Sequence, residues 1–187
     1  MARKKKYKEE EVIEKAMQLF WRNGYETTSV RMLEDEMGIN QFSMYASFGN
    51  KHGVFLESIK CYKGKVKTEL LDKLNNAEGV DGIKQYFYDF IDFSKDNTLN
   101  KGCLLTNTVN ELGEQADKLI WSEILKFATN VRGLFISKLK CDYSKDEKTI
   151  VKQANYLMVA LQGLSVASKM FEKRQLDDFI EETFERL

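Results

Sequence analysis

Gly24, Gly38 and Gly49 cut the N-terminal part of the chain into short pieces, and each piece carries apolar residues at helical spacing. This punctuation restricts the fold more than any other feature of the sequence. A first helix is expected over Glu9–Asn23, with Val12, Ile13, Ala16, Met17 and Phe20 turned inward. Thr28 or Ser29 can cap a second, short helix that buries Val30, Leu33 and Met37. Asn40 is placed to cap a third helix over Gln41–Phe48, and Asn50 a long fourth over 51–74. Connections this small force the first three helices into a compact tripod. The second and third, joined by a tight turn containing glycine, form a helix-turn-helix arrangement.

The rest of the chain reads the same way. Its 187 residues include no proline, so the commonest helix breaker is absent. No segment alternates convincingly with period two. Helices are expected over 83–94, 103–112, 115–140, 148–173 and 176–187, with a polar loop at "KDNTLNKG". The fold class is therefore all-α, with about nine helices. The expected division is a helix-turn-helix domain over residues 1–52 and a helical domain over residues 53–187.

A composition of 43% hydrophobic and 31% charged residues suits a globular protein and not a disordered one. No apolar run reaches membrane-spanning length, and the N-terminus lacks the apolar stretch of a signal peptide, so the expected location is the cytoplasm. Cys61, Cys103 and Cys141 are odd in number and widely spaced, which indicates neither a disulfide framework nor a metal site. Basic and acidic residues balance overall, at 29 each, but not locally. Arg3, Lys4, Lys5, Lys6 and Lys8 precede a stretch, residues 9–52, in which acids outnumber bases. Such a basic run is either a solvated tail or an arm that reaches phosphates.

The order of parts in "AMQLFWRNGYETTSVRMLEDEMGINQFSMYASFGNKHGVFLE" (residues 16–57) resembles the DNA-binding domain of TetR-type, tetracycline-repressor-like, transcriptional regulators. The residues carrying the resemblance are the Ala16–Phe20 helix end, Gly24-Tyr25, Thr28-Ser29-Val30, Gly38-Ile39, Tyr45, Phe48, Lys51 and Phe55. It implies a homodimer whose N-terminal domain binds a double-stranded DNA operator. The C-terminal domain of such a protein binds a small-molecule inducer and pairs the subunits. It also implies that Tyr45 and Lys51 contact phosphates. Phe42 departs from the pattern, which usually has a small residue there.

The residues themselves support a DNA-reading role. A recognition helix needs small or polar groups toward the major groove and an apolar back. Met44 and Phe48 can form that back, leaving Gln41, Phe42, Ser43 and Ala46 for the groove, with Tyr45 and Ser47 at its flanks. Phe42 either touches bases by apolar contact or folds back on the domain. Tyr45 is either a phosphate ligand or a core aromatic. Thr28 and Ser29 stand at a helix N-terminus, where backbone amides and a hydroxyl can hold a phosphate.

In the second domain, Tyr86, Phe87, Phe90 and Trp121 concentrate aromatic surface, and Asn107 and Asn110 offer polar points to a bound molecule. Cys103 is expected at a helix N-terminus two residues after Lys101. There it is either an inert small residue or, as a resemblance of the "GCL" stretch implies, a sensor of electrophiles or oxidants. Leu157, Leu161, Leu164, Phe179 and Phe184 lie on apolar stripes that suit a four-helix dimer interface, or burial within one chain. His52 is the lone histidine, and no nucleophile–base or metal constellation is present, so no cofactor, metal or catalytic activity is expected. The reading from another class is a small-molecule binding or carrier protein that retains a helix-turn-helix-like tripod.

Overall fold

The computed structural model describes residues 7–96, 99–185 and 187. The first part of the basic run therefore lies outside the described residues. Helices α1 (Glu9–Asn23), α2 (Val30–Met37) and α3 (Gln41–Phe48) stand where the glycines and caps put them. The Ser29 hydroxyl accepts the Met32 amide and the Asn40 side chain accepts the Ser43 amide, so each helix begins on a side-chain cap. Ala16, Met17, Phe20, Leu33, Met37 and Met44 are fully buried in the tripod.

The fourth helix closes that core. α4 (Lys51–Val66) starts on the Asn50 cap and brings Val54 and Phe55 under Phe20, whose ring meets Phe55 edge-on at 4.9 Å. The α3–α4 turn is so tight that a Cβ at Gly53 would lie 1.8 Å from the Phe48 carbonyl oxygen. Only glycine fits there, a requirement not evident from the glycine's position in a helical pattern.

Beyond Val66 the helix does not run straight to Leu74. One π-helical turn (Lys67–Leu71) intervenes before α5 (Asp72–Asn76), and the widened turn lets Val66, Leu70, Leu71 and Leu74 all face the core. α6 (Gly79–Phe93) leads into a two-residue antiparallel ladder, Lys95–Asp96 with Leu99–Asn100, in the segment expected to be a polar loop. α7 (Leu104–Leu112), a 3-10 turn (Gly113–Gln115), α8 (Lys118–Leu139), α9 (Glu147–Ala167) and α10 (Lys173–Glu185) complete the fold. Counting α4 to α5 as one rod gives nine helical rods among the described residues.

α8 and α9 pack on each other, α6 lies against α8, and α10 covers α6 and α9. Phe87, Phe135 and Phe184 form the aromatic centre of this second layer, with Phe184 edge-on to Phe87 at 5.2 Å. α9 ends at Ala167, earlier than expected. There the amides of Met170 and Phe171 fold back on the Ala167 carbonyl, and Ser168 donates to the Ser165 carbonyl.

The two parts are bolted together at several points. Trp21, at the edge of the apolar stripe of α1 one turn beyond Met17, is buried against Tyr62 and Phe93, and its indole N–H donates to the Gly102 carbonyl at 3.0 Å. Lys65 pairs with Glu14 at 2.6 Å, and His52 approaches Asp117 at 3.6 Å. The Glu111 carboxylate on α7 accepts the backbone amides of Tyr25 and Glu26, both at 2.8 Å. Gly24 makes room for it: φ is +85° and a Cβ would lie 2.7 Å from the carboxylate oxygens.

Candidate functional site

α3 presents its outer face to solvent. Gln41 and Ala46 are exposed, and Phe42 is 83% exposed, so its ring projects outward and does not fold back on the domain. Met44 fixes the helix by complete burial, and Phe48 is partly buried beside it. Tyr45 is half-buried and packs against the core, so it shares both characters open to it in the sequence. The Gln41 amide at the start of α3 donates to the Glu34 carboxylate of α2 at 2.5 Å, which locks the two helices in register.

Two expected contacts, those of Thr28 and Ser47, need revision. Thr28 is fully buried, and its hydroxyl donates to the Gly24 carbonyl at 2.6 Å, so its side chain is turned away from any phosphate. The neighbouring Thr27 and Ser29 are exposed at the same helix start. The Ser47 hydroxyl is engaged by the Tyr7 hydroxyl at 2.8 Å, and Tyr7 also donates to the Ser43 carbonyl at 3.0 Å. Tyr7 thus pins the segment before α1 to the side of α3, a contact with no periodicity to announce it. Lys51 stands at the start of α4 with its ammonium 4.5 Å from the Tyr25 ring centre and 3.5 Å from the Glu26 carbonyl. Both contacts hold it beside the α1–α2 turn.

In the second layer an apolar cavity of about 50 Å³ lies between α4, α6, α7, α8 and α9. Tyr62 and Val66 come from α4, Tyr86 and Phe90 from α6, and Cys103, Leu105, Thr106 and Val109 from the α7 region. α8 adds Ile124, Phe127, Ala128 and Val131, and α9 adds Met158, Leu161, Gln162 and Ser165. Among the described residues no charged side chain lines it. Of the expected ligand residues, Tyr86, Phe90 and Cys103 are brought together here. Phe87 is not, because its ring is buried on the other side of α6 against Phe135 and Phe184. Asn107 faces the cleft toward α1, where it donates to the Lys101 carbonyl at 2.8 Å and accepts from Lys169. Asn110 lines the same cleft. Trp121 belongs to an outer groove with Leu125 and Asn130.

Cys103 is the N-terminal cap residue of α7, and its amide donates to the Ser165 hydroxyl at 2.9 Å. Burial lowers the pKa of the Lys169 ammonium, which is held by the Asn107 side chain and lies within electrostatic reach of Cys103. Lys101 is itself buried, with its ammonium 4.4 Å from the Trp21 ring centre and 2.8 Å from the Gln18 oxygen on α1. Burial also holds the Tyr62 and Tyr86 phenols well above their ordinary pKa, so both stay neutral.

The stripe expected to pair subunits is instead internal. Leu157, Leu161 and Leu164 are buried within the chain and Phe184 packs on Phe87. Phe179 alone of that set is exposed. The apolar residues that α9 and the following turn leave outside are Tyr156, Val159, Val166, Met170 and Phe171. A helix buries one side in either setting, so spacing could not tell a partner chain from the same chain.

The chain was compared with known proteins. The family model of bacterial regulatory proteins, tetR family, matches residues 12–58, from α1 into α4. The uncharacterized HTH-type transcriptional regulator YezE of Bacillus subtilis (strain 168) is 28% identical over 112 residues, covering 59% of this chain and 58% of that protein. The HTH-type transcriptional repressor ComR of Escherichia coli (strain K12) is 23% identical over 176 residues, covering 89% of this chain and 82% of the repressor. Among solved structures, a cysteine mutant of the TetR family transcriptional regulator CifR, complexed with a 26-base-pair double-strand operator DNA, superposes with a TM-score of 0.85. Its sequence identity is 21%, over 98% of both chains. That likeness shows the fold, and the model match over α1 to α4 identifies the tripod. The match thus covers the helix-turn-helix tripod and the start of α4, which are similar to the N-terminal domain of tetR-family regulatory proteins, and the chain as a whole shares the fold of solved TetR-family regulators.

Proposed function

We propose that this protein is a ligand-responsive transcriptional repressor that acts in the cytoplasm, binds a palindromic operator as a homodimer, and leaves it when a small molecule fills the α4–α9 cavity. The observation that carries this reading is α3: a helix locked from behind by Met44 and Glu34 whose outer face exposes Gln41, Phe42 and Ala46. The outward Phe42 ring is free to contact thymine methyl groups in the major groove, and the Gln41 side chain to contact base edges. Ser29, Thr27, Tyr45 and Lys51 flank that face and supply phosphate contacts. The DNA-binding part comprises α1 to α3 and the first turn of α4. The remaining helices bind the inducer and pair the subunits.

The exposed side of α9, with Val159 73% exposed, and the turn after it, with Met170 78% exposed, together with Phe171 and Phe179, form the self-pairing surface in this reading. Two α3 helices related by the dimer axis then sit roughly 34–36 Å apart, one turn of B-DNA. α4 joins the cavity, through Tyr62 and Val66, to the tripod, through Val54 and Phe55. A ligand that shifts α4 thereby changes the spacing of the readers, provided it binds the two arrangements with different affinity.

The test is fluorescence anisotropy with duplexes tiled across DNA upstream of the gene, at several salt concentrations. Saturable binding to one palindromic fragment, weakened about tenfold by Phe42→Ala, is expected. Absence of binding at low salt to every fragment would favour a carrier protein. A second reading of the sensor rests on Cys103, which lines the cavity within electrostatic reach of the Lys169 ammonium. In that reading an electrophile or oxidant modifies the thiol and releases the DNA. If N-ethylmaleimide releases the Cys103→Ser variant as readily as the original protein, that reading fails.

A further inference from the structure

The cavity holds a hydrogen-bonding group with nothing to bond. The Tyr62 side chain is 1% exposed, and its hydroxyl, beside the Cys103 thiol and the Leu104 backbone, makes no hydrogen bond of acceptable geometry to either. A buried, unpaired hydroxyl costs stability and is uncommon in native proteins. The other polar groups nearby are spoken for: Thr106 donates to the Gln162 side chain at 2.7 Å, and Ser165 accepts the Cys103 amide. Among the described residues the walls are otherwise aliphatic or aromatic, and the nearby Lys169 ammonium lies outside the lining, held by the Asn107 side chain. An anion or cation would lose its hydration with no counter-charge in return.

We propose that the cavity takes a small uncharged molecule, an aromatic ring bearing one carbonyl-type acceptor, whose oxygen receives the hydrogen bond of Tyr62. Phe90, Phe127 and Tyr86 supply the faces and edges against which such a ring packs. The proposal rests on the cavity being the inducer site, and it names the inducer's chemistry. Size gives it a mechanical consequence. About 50 Å³ is well short of the roughly 150 Å³ that accommodates benzene in a rigid apolar cavity. A ring therefore enters only if the walls part, by rotation of the flexible Met158 side chain and displacement of Tyr62 and Val66 with α4. Gln162, exposed at the mouth and held by Thr106, marks where it enters.

The experiment uses the full chain and three probes of similar size: acetophenone, ethylbenzene and benzoate. Binding is measured by calorimetry without DNA. Acetophenone is expected to bind and benzoate to bind at least about tenfold more weakly, as loss of its hydration dictates. Tyr62→Phe deletes one unpaired oxygen and leaves the packing intact. It should weaken acetophenone about five- to tenfold, the worth of one hydrogen bond, while leaving ethylbenzene unchanged. Ala128→Leu, which fills the void, should abolish binding of both neutral probes. The proposal is overturned if benzoate binds as well as acetophenone, if Tyr62→Phe affects the two neutral probes equally, or if none of the probes binds. Operator binding is assayed separately on the ligand-free protein. Failure there counts against the repressor reading, whereas failure of calorimetry with operator binding intact counts against this one alone.

Discussion

Replacing Glu111 with alanine removes the contact that fixes the α1–α2 turn to the sensing layer. The carboxylate accepts two backbone amides, those of Tyr25 and Glu26, each at 2.8 Å. A hydrogen bond to a charged group is worth about 1.5–3 kcal/mol where water is excluded, but this turn is exposed and water replaces the lost acceptor, so about 1 kcal/mol per bond is expected. For two bonds, a loss of about 2 kcal/mol lowers the Tm of a chain this long by roughly 4–8 °C. Glu111→Gln keeps an acceptor oxygen without the charge and should lose about half as much. Gly24→Ala should be destabilising for two reasons: a backbone φ of +85° that alanine resists, and a Cβ that displaces the same carboxylate. Because both variants break one contact, their combined effect should fall short of the sum. Thermal unfolding gives the stability, and amide hydrogen exchange at Tyr25 and Glu26 reports the contact directly. Operator affinity should fall several-fold as α1 to α3 gain freedom relative to the rest. Unchanged exchange at those two amides, with an unchanged Tm, would refute the reasoning.

Val159→Arg on the exposed face of α9 should leave the monomer folded while shifting sedimentation toward a single chain and abolishing operator binding. A dimer that survives places the pairing surface elsewhere. Lys51→Ala should weaken operator binding at every sequence alike and reduce the salt dependence by about one released ion per subunit, read from the slope of log affinity against log salt. Acid should loosen the joint between α4 and α8. Lys63 donates to Glu123 at 2.7 Å and holds its carboxyl below the ordinary 4.5. A depressed carboxylate pKa contributes stability above the unfolded value, and that contribution is lost as pH falls through the folded one. Urea midpoints should therefore decline on acidification from about pH 5, and Glu123→Gln should flatten part of that decline.

The tripod was legible because everything that makes it is local. Its N-caps reach amides three residues on, as Asn40 does with Ser43, and its buried residues recur within single helices. Such features depend on short-range backbone geometry alone, so the sequence by itself determined α1 to α3, the start of α4 and the all-helical class. It also picked Gln41, Phe42 and Ala46 as the outer face of α3, though not which way the Phe42 ring points. What it left open required knowing which surfaces meet. Apolar stripes announce burial but not the burying partner, so Leu157, Leu161 and Leu164 suited a dimer seam equally well and lie inside. Trp21 continues the Ile13–Met17 spacing, but what buries it was not legible, because its partners Tyr62, Phe93 and Gly102 are far away in sequence. The cavity follows the same rule. It is an absence of atoms bounded by five helices, and only their packing decided that Tyr62 would face it unpaired, that Phe87 and Trp121 would not, and that Glu111 would reach across to the α1–α2 turn.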